Sequence, residues 1–120
     1  MIIDVHSHAW KYPDHFGDDF VEQGARAWGQ HGLALTVTYE DYIRQSSEEV
    51  RTVVFGGKAR LSGVWVDDRY VAEYVAQRPD DLIGFLSVDP TQPGWKEELG
   101  QGHQDLSLKG IKLSLIHISE

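Results

Sequence analysis

The chain has 120 residues, a formal net charge of −8, 41% hydrophobic and 25% charged residues, and no cysteine. This length supports one domain with a real core, and the apolar fraction excludes disorder as the overall state. The acidic balance argues against a nucleic-acid partner, and the missing cysteines exclude disulfides and thiolate metal sites. Asp4 stands where a secretory leader needs basic and then apolar residues. The longest apolar stretch, Leu82 to Val88, contains Gly84 and Ser87 and falls far short of the roughly 20 residues that cross a bilayer. A soluble, cytoplasmic protein with no membrane partner is therefore expected.

Ile2, Ile3 and Val5 form a β-branched run that predicts an opening strand. From Ala9 to Val37 the glycines, aspartates and Pro13 predict a long loop. Tyr39 to Ser47 is expected to be a helix capped by Thr38, with Asp41 completing a capping-box-like pair. Val50 to Phe55 predicts the second strand, stopped by Gly56 and Gly57. A second helix begins at Asp67 or Asp68, carries Val71, Tyr74, Val75 and Arg78 at helical spacing, and stops at Pro79. Leu82 to Val88 is the third strand, closed by Asp89-Pro90. Pro93 to Leu106 is a third helix with Trp95 and Leu99 on one face, weakened by Gly100 and Gly102. Gly110 to Leu113 is the fourth strand. Strands alternating with helices indicate βαβ units and a parallel sheet, and a third strand apolar on both faces fits one covered by helices. The alternation alone does not separate an open sheet from a closed barrel.

His6 and His8 are the strongest chemical feature. Residues two apart in a strand point the same way, about 6.5–7 Å apart along the chain, so two imidazoles can converge on one metal ion. Asp4 is expected on the same face, as a group that orients a ligand. The pair sits at the carboxyl end of a first strand, where parallel α/β folds build their sites. Zinc, iron and manganese all accept imidazole. The competing reading is an incidental histidine pair, and two ligands are fewer than the three protein ligands that catalytic sites use. Trp10 follows the pair and is a candidate wall of a substrate pocket, or else loop packing. Lys58 and Arg60 follow the second strand, where they could meet an anionic substrate, but are expected to be solvated loop charges. Asp89 is expected to make a turn, and His15, His31 and His103 are expected to be exposed or locally bonded.

Asp4-Val5-His6-Ser7-His8 resembles the first-strand D-x-H-x-H signature of the amidohydrolase superfamily. The stretch from Val64-Trp65-Val66 through Tyr70-Val71-Ala72 resembles its amidohydrolase-related family. So do Leu82-Ile83-Gly84-Phe85-Leu86-Ser87-Val88-Asp89-Pro90 and Leu108-Lys109-Gly110-Ile111-Lys112-Leu113. That family holds metal-dependent hydrolases and non-oxidative decarboxylases related to aminocarboxymuconate-semialdehyde decarboxylase. The resemblance implies an incomplete (β/α)8 TIM-type barrel, with the first three to four βα units in residues 1–113. It implies His6 and His8 as ligands of a divalent metal, with zinc the first expectation, and a small-molecule substrate. Hydrolysis is the first expectation and decarboxylation the alternative. A homo-oligomer is expected only of a complete protein.

A complete barrel of this type takes about 250 residues, so an amino-terminal fragment, inactive alone, is expected. Ser114-Leu115-Ile116-His117-Ile118-Ser119-Glu120 is similar to translated sequencing-adapter DNA, so residues 114–120 are expected to be a foreign tail and His117 is not counted as a ligand. A metal-dependent nuclease that also begins D-x-H-x-H is disfavoured by the acidic balance and the Gly84 to Pro90 segment, and Gly110 to Leu113 lacks the glutamate that would favour it. A small α/β binding module without enzymatic activity is the remaining alternative.

Overall fold

The computed structural model describes residues 1–11, 14–28, 36, 38–40 and 50–113. Strand β1 spans Ile2–His8 and helix α1 spans Asp18–Trp28. Strand β2 covers Val50–Phe55. The short strands β3, Lys58–Ala59, and β4, Val64–Trp65, flank a 3-10 turn at Arg60–Ser62. Helix α2 is Asp68–Ala76, strand β5 Leu82–Val88, helix α3 Trp95–Gln104 and strand β6 Gly110–Leu113.

Four strands form one sheet in the order β1-β2-β5-β6, with every neighbouring pair parallel. Strands β3 and β4 make a separate antiparallel ribbon, pairing Lys58 with Trp65 and Ala59 with Val64. Gly63, with φ +78, closes the 3-10 turn between them, and its N–H donates to the Arg60 carbonyl. The left-handed backbone there is costly for any residue with a Cβ.

The core lies between one face of the sheet and helices α2 and α3. Val54, Leu82, Leu86 and Val88 from the sheet join Val71 and Tyr74 of α2, with Val66 and Leu108 from the connections. Each fully buried aliphatic side chain contributes roughly 1.5–3 kcal/mol. Close approach needs glycine on this face. A Cβ on Gly84 would meet Leu108 Cδ2 at 2.6 Å, and one on Gly102 would meet Leu86 Cδ2 at 2.9 Å. Both helices cover the same face, as right-handed crossovers between strands added in sequence order require.

This architecture corrects the barrel expectation. What is present is a small α/β fold with a curled, open four-stranded parallel sheet, and a partial TIM barrel is not shown. A barrel strand is hydrogen-bonded on both sides and covered by a helix. Strand β1 instead stands at one edge, with Ile2, Ile3 and Val5 all more than half exposed, and β6 stands at the other with Ile111 exposed.

The strands and helices expected from Val50 to Leu113 are present within a few residues of their predicted bounds. The long loop is not uniform, because α1 occupies part of it. Of the expected helix at 39–47, Tyr39 and Glu40 are helical and 41–47 lies outside the described residues, as does the tail at 114–120. No helix among the described residues is long and apolar enough to cross a membrane.

Candidate functional site

The carboxyl ends of the parallel strands converge on the inner face of the curl, opposite α2 and α3. His6 and His8 reach this face from β1, with ring centroids 5.3 Å apart. Phe55, at the end of β2, lies beneath both imidazoles, at 5.2 Å from His6 and 4.7 Å from His8. Trp10 stacks on His8 at 4.1 Å with planes 17° apart, so both the histidine pair and the tryptophan are brought together.

His8 is locked by the glycine turn after β2. Its Nδ1 lies 2.9 Å from the Gly56 carbonyl oxygen. A carbonyl only accepts, so Nδ1 carries the proton and Nε2 keeps its lone pair. This is how proteins orient a ligating imidazole. Burial pushes the His8 pKa below its ordinary value; the Gly56 hydrogen bond opposes this, and nearby His6 and Lys112 reinforce it. The glycine has a steric reason, because a Cβ on Gly56 would lie 2.5 Å from Val66 Cβ.

Asp4 stands differently from the simple alternation. Asp4 pairs with Thr52 and Ser7 with Val54, so three steps on β1 match two on β2. Such a bulge breaks the period of two. His8 pairs with Phe55, three residues from Thr52, which puts Asp4 and His8 on opposite faces. The Asp4 carboxylate accepts the His6 backbone N–H at 3.0 Å. The group that orients His8 is therefore a backbone carbonyl, which residue-type patterns do not reveal.

A pocket of about 340 Å³ opens beside the pair. His8, Trp10, Gly56, Gly57, Ser87 and Lys112 line it, with Lys58, Ala59, Ser62 and Val64 of the ribbon. Lys112 holds its ammonium over the Phe55 ring at 4.6 Å, a cation–π contact. The Ser87 hydroxyl is buried and finds no hydrogen-bond partner among the described residues. Neither Lys112 nor Ser87 stood out in the sequence, since each sits inside a strand pattern; their juxtaposition comes from the β5–β6 register.

Lys58 is not the solvated charge expected of it. It is only 4% exposed. Its Nζ donates to Asp68 Oδ2 at 2.8 Å and to Glu98 Oε2 at 3.0 Å, tying the ribbon to α2 and α3. Asp68 Oδ1 also accepts the Ser87 N–H at 3.0 Å. Arg60 lies over the Trp65 ring at 3.8 Å, and Asp89 accepts from the Arg60 and Thr91 amides and the Thr91 hydroxyl. Asp89 thus fastens a turn. His15 accepts the Lys11 N–H through Nδ1 at 2.8 Å, and His103 Nδ1 lies 3.4 Å from the Leu108 carbonyl oxygen. Both are locally bonded, and His31 lies outside the described residues.

The ring-centre separation of the histidine pair is close to that of two imidazoles on one ion. Two imidazoles bound to a tetrahedral ion at about 2.1 Å put their ring centres about 5 Å apart. The observed separation is 5.3 Å. Among the described residues, no group of three His, Cys, Asp or Glu side chains is placed to hold a metal ion. The described site thus holds the two histidines and no third such side chain beside them. Comparison with known proteins finds no matching family, no matching curated protein and no matching solved structure.

Proposed function

We propose that this chain carries the first-strand ligand pair of a metal-dependent hydrolase of the amidohydrolase-related type, acting on a small molecule. His6 and His8 would hold a divalent ion, zinc first among the candidates. When bound, such an ion polarises a carbonyl or supplies hydroxide at neutral pH by lowering the pKa of its water. The residues of this chain do the rest that can be derived. Gly56 fixes the His8 tautomer, Phe55 backs both rings, and Trp10 walls the pocket where a substrate would lie.

One observation carries the reading: the His8 Nδ1–H is spent on a backbone carbonyl while the second imidazole has its ring centre 5.3 Å away. An incidental pair has no need of a fixed tautomer and matched spacing together. The test is a thermal-unfolding titration with zinc. A ligand that binds only the folded state raises its stability. The melting temperature is expected to rise with zinc in the wild type and to stay unchanged in His6→Ala/His8→Ala. An equal rise in both proteins would overturn the assignment.

A further inference from the structure

A second pocket, of about 260 Å³, lies beside helix α2 and shares no lining residue with the one at the histidine pair. Three tyrosines wall it. Tyr70 and Tyr74 are four apart on α2 and so lie on one helix face. Tyr39 stands at 89° to Tyr74 with ring centroids 6.1 Å apart, so these two rings form a corner. The walls are held in place. Tyr74 is only 4% exposed and donates its hydroxyl to the Thr38 carbonyl, and the His15 ring packs against Tyr70 at 4.6 Å. The rim is acidic. Glu40 and Glu73 line it, both exposed, and neither enters an ion pair among the described residues. Lys11 is the one cationic side chain among the described residues that line the pocket. Burial raises the Tyr70 pKa, and Asp14 and Glu40 raise it further, which marks a negative potential at that ring.

We propose that this pocket binds a small soluble organic cation, a quaternary or otherwise methylated ammonium. The ammonium sits among Tyr39, Tyr70 and Tyr74, and its charge faces Glu40 and Glu73. An aromatic face attracts a cation through the ring quadrupole, and the attraction grows as both lose water. Methyl groups on nitrogen weaken hydration, so such a cation enters an aromatic corner at less cost than a compact, strongly hydrated ion. The volume lies below the roughly 300 Å³ at which drug-sized sites begin, and so suits a single head group. The two rim carboxylates set the sign of the ligand. They also repel a phosphate placed next to the ammonium, which disfavours the head group of a choline lipid as the source. The binding needs no metal and does not depend on the histidine pair.

Choline is the probe, with neohexyl alcohol, in which carbon replaces the charged nitrogen, as its neutral counterpart. Both are titrated into the full chain by amide NMR at constant ionic strength in the presence of EDTA. Choline is expected to give saturable shifts around Tyr39, Tyr70 and Glu73, and the alcohol to bind about fivefold more weakly or worse. Tyr70→Leu removes one aromatic face and should weaken choline about two- to fivefold, whereas Tyr70→Phe keeps the face and should stay within about twofold of the wild type. Glu40→Gln/Glu73→Gln should weaken it several-fold and leave the fold intact, because both carboxylates are exposed. Phosphocholine is expected to bind more weakly than choline, and phosphatidylcholine vesicles are expected not to sediment the protein. Sedimentation with the vesicles, or phosphocholine binding more tightly than choline, would overturn the soluble-cation claim in favour of a lipid. Equal affinity for choline and the alcohol, or no saturable choline shifts in the folded wild type, overturns the proposal. So does wild-type affinity in both Tyr70→Leu and the double glutamine variant.

Discussion

At the scale of single residues, His8 concentrates most of the constraints. It is stacked by Trp10, edged by Phe55, bonded to Gly56 and pressed by two cationic or ionisable neighbours, His6 and Lys112. Burial lowers its pKa, and burial also lowers that of His15, where Asp14 and Asp67 act in the opposite sense and Lys11 in the same. The unfolded chain titrates its histidines near their ordinary pKa of about 6.5. As pH falls through that value, the unfolded state takes up protons before these two sites do. Stability is therefore complete above about pH 7 and declines as pH drops toward the depressed folded values. The urea midpoint is expected to be lower at pH 5.5 than at pH 7.5. The gap should narrow in His8→Gln/His15→Gln, whatever the absolute stability of that variant. An unchanged gap would mean that neither histidine is sheltered as described.

Residue identity made the histidine pair legible, because two histidines two apart in a strand need no tertiary knowledge. It did not make its support legible. The role expected of Asp4 assumed an unbroken strand period, and the bulge between Asp4 and Ser7 moves Asp4 to the other face. The buried Lys58 was hidden for a related reason. Its partners Asp68 and Glu98 lie 10 and 40 residues away, and no local pattern announces them.

At the scale of elements, the strands from Val50 onward were legible because each is a short β-branched or aliphatic run closed by Gly, Asp or Pro. Helix α1 was obscured by Gly24 and by Asp18-Asp19, residues typical of loops. In the structure those two aspartates occupy the first turn, where the helix dipole favours acidic side chains. The β3–β4 ribbon has two residues per strand, too few for any period to show.

The ribbon is fastened by two devices that predict distinct losses. Gly56→Ala drives a methyl group into Val66, a β-branched residue with no freedom to withdraw, and overpacking of this kind costs about 1–3 kcal/mol. Its urea midpoint should fall, and its zinc response should weaken because the carbonyl that holds His8 moves. Lys58→Met leaves Asp68 with one partner fewer in a buried setting. Breaking a buried pair from one side costs about 3–5 kcal/mol, so this variant should unfold well before the wild type. Denaturation of both variants against Arg26→Ala, whose ion pair is exposed, checks the ranking.

At the scale of the whole molecule, order and direction of the strands decide where chemistry can occur. Four parallel strands in sequence order curl so that α2 and α3 close one face and leave the other concave. Every residue assigned to the histidine site belongs to the carboxyl ends of these strands or to the loops that follow them. This is the general location of sites in parallel α/β proteins, and the strand–helix alternation foretold it. The alternation did not foretell the open edges. Whether a parallel sheet closes depends on pairing at β1 and β6, and those contacts are not written in any single element.

We propose that His6 and His8 share one metal ion through a His8 tautomer fixed by Gly56. Long-range proton–nitrogen NMR of the imidazoles during a zinc titration tests it most directly. The expected result is a protonated His8 Nδ1 before zinc is added, and a large shift of His8 Nε2 together with a His6 nitrogen at one equivalent. A His8 protonated on Nε2, or zinc shifts confined to other histidines, would contradict it.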